Sequence, residues 1–501
     1  LLLAVLLLLG SCGGSGGGNG GNPNQSADAL DSSNELDSLP EDLGTDPDGL
    51  EIKPNDTDPG LDGQPGDADP TEDLGGDGCV AQCDGRACGT DGCGGSCGTC
   101  DNGKVCLAGG QCGLGQEWTV LVYLVADNDL EAYSFPNLEE MMVASAQSNV
   151  KIVVQADWVA GMEYRDSDSW MDQDYKGTWR LLMKPDGYDK LADLGEKNMA
   201  APSTLSDFVK FGLTTYPAQH YALILWDHGG GLLGFGWDET SDQDALLPAE
   251  LADAVATGLA GAGLPEGTKL DLVGFDACLM GSVETAALMV PVADYMVASE
   301  ELEGGPGWDY RVFGALDEGD GAPALGSLII DGFMAKSVNE FEDTMATLSL
   351  VDLAALADLE AALETLVGAL GADLGAHGAA LALAQSQAQY FGLAEYEDEV
   401  DSGQVDLGDL VDLLRTKAPA LTEETAGLLE ALGAAVIDEA HASGVPGATG
   451  LAIHFPVQEA IFERALLIEA RPPQFWVDFL DTWYAWLGEN YKVQLSEVLY
   501  D

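Results

Sequence analysis

A chain of 501 residues of which 46% are hydrophobic is long enough to bury at least one large core. Its 86 acids against 19 bases give a formal charge of −67, and no stretch gathers Lys and Arg into the basic stripe that a phosphate backbone requires, which excludes a nucleic-acid partner. The same imbalance favours solubility and concentrates cations or basic peptides at the surface.

The opening LLLAVLLLLGSC is an apolar run too short to span a bilayer, and it closes on small residues before Cys12. It reads as a signal peptide, residues 1–12. The Leu9-Gly10-Ser11-Cys12 order resembles the bacterial lipobox, in which the cysteine is lipidated and becomes the first residue of the mature protein. A basic start is missing, so this segment is expected to be truncated; an ordinary cleaved signal is the alternative. Either way the expected location is outside the cytoplasm, as a membrane-anchored lipoprotein of the cell envelope or surface, where disulfides persist.

Residues 13–78 are Gly, Asn, Asp, Pro and Ser with Lys53 as the lone base, a composition that cannot bury enough surface to fold and reads as an acidic linker. Residues 79–115 then hold Cys79, Cys83, Cys88, Cys93, Cys97, Cys100, Cys106 and Cys112. The even number, tight spacing and exported context predict a small disulfide-rich module of four bridges, with the pairing left open. A zinc knuckle at Cys97 and Cys100 is the alternative, without a histidine nearby. Setting aside Cys12 and these eight, Cys278 is left as a solitary thiol.

From Trp118 onward apolar runs alternate with helical patterns, the signature of an α/β fold with a mostly parallel sheet flanked by helices. Strands are expected at 119–126, 151–157, 178–183, 221–226, 270–275 and 295–299. Helices are expected at 136–147, 203–215 (with Ser203 as N-cap) and 279–289. These make a core of residues 116–320. Residues 321–501 read as mainly helical, through 352–370 and 422–442, with a late strand at 450–455 returning to the core before an aromatic helix around 475–491.

Two strands end in reactive residues: YALILWDHGGG delivers His228 into glycines, and KLDLVGFDAC delivers Cys278 into the next segment. Functional groups of open parallel sheets sit beyond the carboxyl ends of strands, so adjacency of these two would form a Cys-His pair. Gly229 to Gly231 would let the backbone approach a substrate and free an amide for an oxyanion, while a helix starting after Cys278 would favour a thiolate.

These strands, together with VLVYLVADNDLE, NLEEM, KIVVQADW, DACLMGSVETA, VASEELEGGPGWDY and GLAIHFP, resemble the clostripain family of cysteine peptidases, in the caspase-like clan. The likeness runs from about Trp118 to the end. It implies a caspase-like sheet, Cys278 as nucleophile, His228 as its partner, and the amides of Gly229 and Cys278 as the oxyanion hole. Asp276, two residues before the cysteine, would pair with an Arg or Lys side chain of the substrate, with Asp309 as a second, weaker carboxylate for the same site. The expected reaction is endopeptidase cleavage after Arg or Lys in protein or peptide substrates.

No cofactor is required by this reading. Calcium is an option, because some family members need it and the acidic run Asp127 to Glu131 offers carboxylates, though a solvated turn suits that spacing as well. His220, His377, His441 and His454 read as structural. Two other functions are weighed: an inactive peptidase-like surface binding or adhesion lipoprotein, and cleavage after Asn or Asp, which would need cations where Asp276 stands. Family members that cut themselves do so after a base between the two catalytic strands; here 229–268 contains no Lys or Arg, so no self-cleavage is expected there.

Overall fold

The computed structural model describes residues 81–490 except 90, 92–94, 101–103, 108–109, 114–115, 148, 160–175, 266, 393–401 and 458–471. Cys12, the linker at 13–78, Cys79 and Cys93 lie outside the described residues.

The cysteine module is a small hairpin of β1 (Val105–Leu107) and β2 (Gln111–Gly113). It is cross-linked by Cys83–Cys97, Cys88–Cys106 and Cys100–Cys112. Closing loops of 14, 18 and 12 residues restricts the unfolded chain by about 3 kcal/mol per bridge. The zinc alternative fails for these six, since a disulfide sulfur has no thiolate to offer a metal.

Further along come β3 (Gln116–Ala126), β4 (Val150–Trp158), β5 (Gly177–Lys184), β6 (Gly187–Gly195) and β7 (Ala218–Trp226). A side hairpin, β8 (Phe235–Asp238) and β9 (Asp244–Leu246), precedes β10 (Leu270–Asp276), β11 (Ala293–Ala298) and β12 (Thr347–Asp352). The last are β13 (Tyr390–Phe391), β14 (Gln404–Asp406), β15 (Val436–His441) and β16 (Ala452–His454). Nine of them form one sheet in the order β15-β12-β11-β10-β7-β3-β4-β5-β6. The inner five, from β11 to β4, are mutually parallel, and an antiparallel pair extends each side.

The alternation along β3 shows how the sheet acquires two cores. Leu121, Tyr123 and Val125 face the helices Pro202–Thr215 and Pro248–Gly261 and the C-terminal helices. Trp118, Val120, Val122 and Leu124 face Glu131–Ala144 and Ala322–Met334. A strand covered on both faces needs apolar residues at every position, which is why it reads as a continuous run. Each such side chain contributes roughly 1.5–3 kcal/mol by leaving water.

The six expected strands are present, each within three residues of its expected limits at either end. The C-terminal segment is mainly helical and does return to the sheet, but through β12 and β15. The expected strand near 450 instead joins β13 and β14 in a separate three-stranded sheet. The expected helix 422–442 stops at Ala435, where Val436 turns extended (φ −83°, ψ 103°). Beyond it the VIDEAH sequence forms an edge strand, with Asp438 and Glu439 placing charge where further strand pairing would otherwise start. Among the described residues no helix is long and apolar enough to cross a membrane.

Candidate active site

Strands β7 and β10 lie side by side with Trp226 opposite Asp276, and each continues two residues further, to His228 and Cys278. The amide of Asp227 donates to the Asp276 carbonyl at 3.3 Å, carrying the pairing past the sheet's edge. There Gly229 is indispensable for space. A Cβ at this position would stand 2.1 Å from the Cys278 carbonyl oxygen and 3.0 Å from its nitrogen, so the two backbones meet directly. His228 and Cys278 line one cavity, shared with Asp276, Glu303 and glycines 304, 305 and 307.

The segment after Cys278 differs from expectation. Leu279 adopts φ +64°, and the helix Val283–Met289 begins only after Ser282, whose hydroxyl caps the Thr285 amide. A seven-residue helix starting five positions away does not aim its N-terminus at the sulfur, so the expected dipole contribution to a thiolate is absent. Instead the sulfur accepts the Glu303 amide at 3.2 Å. Cys278 is also disulfide-bonded, so the solitary thiol expected from the cysteine count is not what this structure holds.

His228 is fixed from the loop after β3. Its Nε2 lies 2.7 Å from Asp129 Oδ1, which places the proton on Nε2 and leaves Nδ1, buried and without a partner, as the basic nitrogen. Burial raises the Asp129 carboxyl, but the hydrogen bond and charge of His228 outweigh it and hold it below the usual range. Asn128 anchors the loop by donating to Asp227 Oδ1 (2.7 Å) and to the Trp237 carbonyl (2.9 Å).

Asp276 lies at the cavity wall, 5% exposed, accepting from the Trp308 amide (3.2 Å) and the Tyr310 hydroxyl (2.8 Å). The loop that presents these donors is tied down. Lys336 Nζ donates to the carbonyls of Pro306 (2.9 Å) and Trp308 (2.8 Å), and pairs with Glu140 at 2.9 Å. Asn137 links Trp226 to Pro306 from the other side. Glu303 is buried beside Asp276 with no well-formed hydrogen bond to either carboxylate oxygen. Burial pushes both carboxyls up, and Asp276 raises Glu303 further.

Of the residues singled out in the sequence, His228, Gly229, Asp276 and Cys278 are brought together. Asp309 is not: it caps the turn Tyr310–Ala315 and pairs with Arg311 at 2.7 Å. The acid that shares the cavity with Asp276 is Glu303, hidden in the sequence among Glu300, Glu301 and Glu303. Asp129 was equally hidden inside the acidic run at 127–131. That run divides three ways: Asp129 turns to His228, Glu131 opens a helix as a buried residue, and Asp127 faces a separate group of acids.

The profile of the Clostripain family matches residues 122–438. Clostripain from Hathewaya histolytica is 28% identical over 250 residues, 43% of this chain and 45% of that protein, so the chain spans less than half the length of this curated relative. Two solved structures share the fold. A secreted C11 cysteine protease from Bacteroides thetaiotaomicron, in complex with an irreversible peptide inhibitor, is 20% identical with a TM-score of 0.50, covering 68% of this chain and 93% of that one. An inactive zymogen C11 protease from Parabacteroides distasonis is 21% identical with a TM-score of 0.53, covering 73% and 99%. With the profile spanning most of the chain, and with a histidine and a cysteine at the ends of adjacent strands, this protein belongs to the clostripain family of cysteine peptidases.

Proposed function

We propose that the chain is an extracytoplasmic cysteine endopeptidase that cuts after Arg or Lys. The observation that carries the reading is one cavity lined at once by His228, Cys278 and the acid pair Asp276 and Glu303. A buried carboxylate held by donors on one side and open on the other suits a guanidinium or ammonium. The three bridges of the N-terminal module suit an oxidising compartment, and lipidation at Cys12 would keep the enzyme at a membrane.

The chemistry follows from the wiring. With the basic side chain in the acid-lined cavity, the scissile carbonyl lies over Cys278, whose proton passes to His228 Nδ1 as the sulfur attacks carbon. The amides of Gly229 and Cys278 receive the oxyanion. His228, held in its tautomer by Asp129, then gives the proton to the departing amine, and water releases the acyl group from sulfur. Attack requires the thiol form of Cys278. The segment between the two strands is folded as β8, β9 and the helix Pro248–Gly261, and its only base, Lys269, pairs with Asp294 beside β10. This supports activity as a single chain, without self-cleavage between His228 and Cys278.

The test is hydrolysis of fluorogenic peptides that differ only in the residue before the leaving group, with and without a thiol reductant. Reduced wild type should cleave Arg and Lys substrates, and Cys278→Ala and His228→Ala should each be inactive while still folded. Preference for Asp, Asn or Leu before the cut would refute the specificity. Activity surviving in Cys278→Ala would refute the mechanism, and no hydrolysis of any peptide after reduction would favour a binding protein.

A further inference from the structure

Both turns that follow the catalytic strands contain a residue in the left-handed backbone region. After β7 the chain passes His228 and reaches Gly231 at φ +57°; after β10 it passes Cys278 and reaches Leu279 at φ +64°. Glycine takes that region freely, whereas a leucine there is uncommon and strained. Such a conformation persists only where its surroundings impose it, so whatever imposes it on the residue next to the nucleophile bears on the chemistry.

The Leu279 peptide is held from both sides. Its amide donates to the Glu301 carbonyl at 3.2 Å, and its carbonyl accepts from Gln404 Nε2 at 2.9 Å. Two residues on, the Gly281 amide donates to the Ser299 carbonyl at 2.6 Å and the Gly281 carbonyl accepts the Ala452 amide at 2.9 Å. The Leu279 side chain is buried in a small cluster with Phe391, Val445 and Ala452. Of the four hydrogen bonds, the one from Gln404 is made by a side chain and is therefore open to substitution.

Gln404 comes from β14, in the separate three-stranded sheet, and is buried. It meets the other turn as well. A Cβ on Gly231 would stand 2.1 Å from Gln404 Nε2 and 3.1 Å from the Leu279 carbonyl oxygen. One carboxamide is thus wedged between the loop that follows His228 and the turn that follows Cys278. Its Oε1 is buried without a hydrogen-bond partner. The opposite orientation of the amide would set that oxygen against the Leu279 carbonyl oxygen, so the nitrogen faces the turn. A half-satisfied carboxamide in the interior costs stability that an apolar side chain of the same length would not, so packing does not account for glutamine here, and the donor toward Leu279 does.

We propose that Gln404 is a positioning residue of the peptidase reading given above: it locks the turn after Cys278 against the loop after His228 and so sets the sulfur for attack. Cys278 directly precedes Leu279, and its sulfur accepts the Glu303 amide at 3.2 Å. If Leu279 relaxed out of the left-handed region, the residue before it would shift and the sulfur would leave that amide, which favours its ionised form.

The test uses the whole protein after treatment with a thiol reductant. Gln404→Met keeps the length of the side chain and removes the donor. It should lower kcat for Arg and Lys peptides about a hundredfold, the effect of a misplacement near 1 Å, with KM within about twofold of wild type. Gln404→Leu repeats the measurement if the methionine variant does not fold. Gln385→Leu separates position from stability. Gln385 is another buried carboxamide of the C-terminal segment, donating to the carbonyls of Phe455 (3.2 Å) and Pro456 (3.3 Å), which belong to neither catalytic turn. Its loss should lower the melting temperature as much as Gln404→Met does and leave kcat unchanged. A second readout needs no substrate: alkylation of Cys278 by iodoacetamide at neutral pH, followed by mass spectrometry, should be about tenfold slower in Gln404→Met. Unchanged kcat in Gln404→Met, a rise in KM alone, or an equal loss of kcat in Gln385→Leu would overturn the proposal. If wild type hydrolyses no peptide, the peptidase reading fails and alkylation alone decides: slower reaction in Gln404→Met supports the positioning role, and equal rates overturn it.

Discussion

Two groups of buried acids stand at the same edge of one sheet, and they differ in what surrounds them. Asp276 is met by a backbone amide, a tyrosine hydroxyl and, at longer range, Lys336, so its charge is cushioned before any ligand arrives. The other group, Asp127, Asp157, Glu196 and Asp238, has amides on Asp238 but orphaned oxygens on Asp127 and Asp157, and the strongest neighbours of Asp157 are further acids. Donors that hold a carboxylate and leave an open side suit a directional organic cation. Acid count does not separate the two groups; the hydrogen-bond donors do.

The largest effect should come from breaking the first group. Asp276→Ala is expected to lower kcat/KM for Arg and Lys peptides by roughly 10²–10³-fold, with little change for neutral peptides. An equal loss on neutral peptides would show that Asp276 supports the cavity's fold and not the substrate's charge.

The acid limb of the pH profile sharpens the same contrast. Burial pushes Asp276 up to about 6, so kcat/KM for basic substrates should rise about tenfold per pH unit below 6 and flatten above it. Glu303, which burial keeps protonated, lowers Asp276 through its proton, so Glu303→Ala should move that limb to higher pH. An unmoved limb would mean that the titrating group lies elsewhere.

Asp129→Asn should cost less, about tenfold in kcat with KM unchanged, because the Asp129 side chain is 46% exposed and water shares its hydrogen bond. A change in KM alone would move Asp129 from orienting the imidazole to contacting substrate.

Stability offers the mildest test. Burial pushes Glu284 and Glu301 each to about 7, above the value in an unfolded chain, so the native state holds more protons between about pH 4.5 and 7. The stability this contributes is complete at the acidic end and is lost as pH rises through 7, by roughly a few kcal/mol in total. Melting temperature should therefore fall from pH 5 to pH 8. The opposite slope would mean that these carboxyls ionise freely inside the fold.

Much of this was legible in the sequence wherever burial leaves a composition signal. Strands covered on both faces must be apolar throughout, so β3, β4, β7 and β10 announced themselves, and with them the positions of His228 and Cys278. Edge strands carry no such signal: VIDEAH follows Ala435 with no Gly or Pro at the junction and reads as the helix's continuation. Side-chain direction in acidic loops was invisible for the same reason. Asp127, Asp129 and Glu131 look alike in sequence, and only the paths of β4, β7 and β8 decide which becomes buried, which orients an imidazole and which opens a helix. Asp309 seemed suited to the substrate cavity by its place beside Trp308, yet Arg311 two residues on claims it.

The turn after the nucleophile has one more consequence, for the order in which the molecule is assembled. The carbonyl of Leu279 is held by Gln404 Nε2 at 2.9 Å and that of Gly281 by the Ala452 amide at 2.9 Å. Both supports come from more than a hundred residues downstream, and β12 and β15 complete the sheet from the same late stretch. Contacts of such high sequence separation form slowly and cannot form before the chain that makes them exists. A nascent chain ending near residue 320 would carry both catalytic side chains and neither prop. The turn after Cys278 is therefore completed only once the chain has been made as far as Ala452.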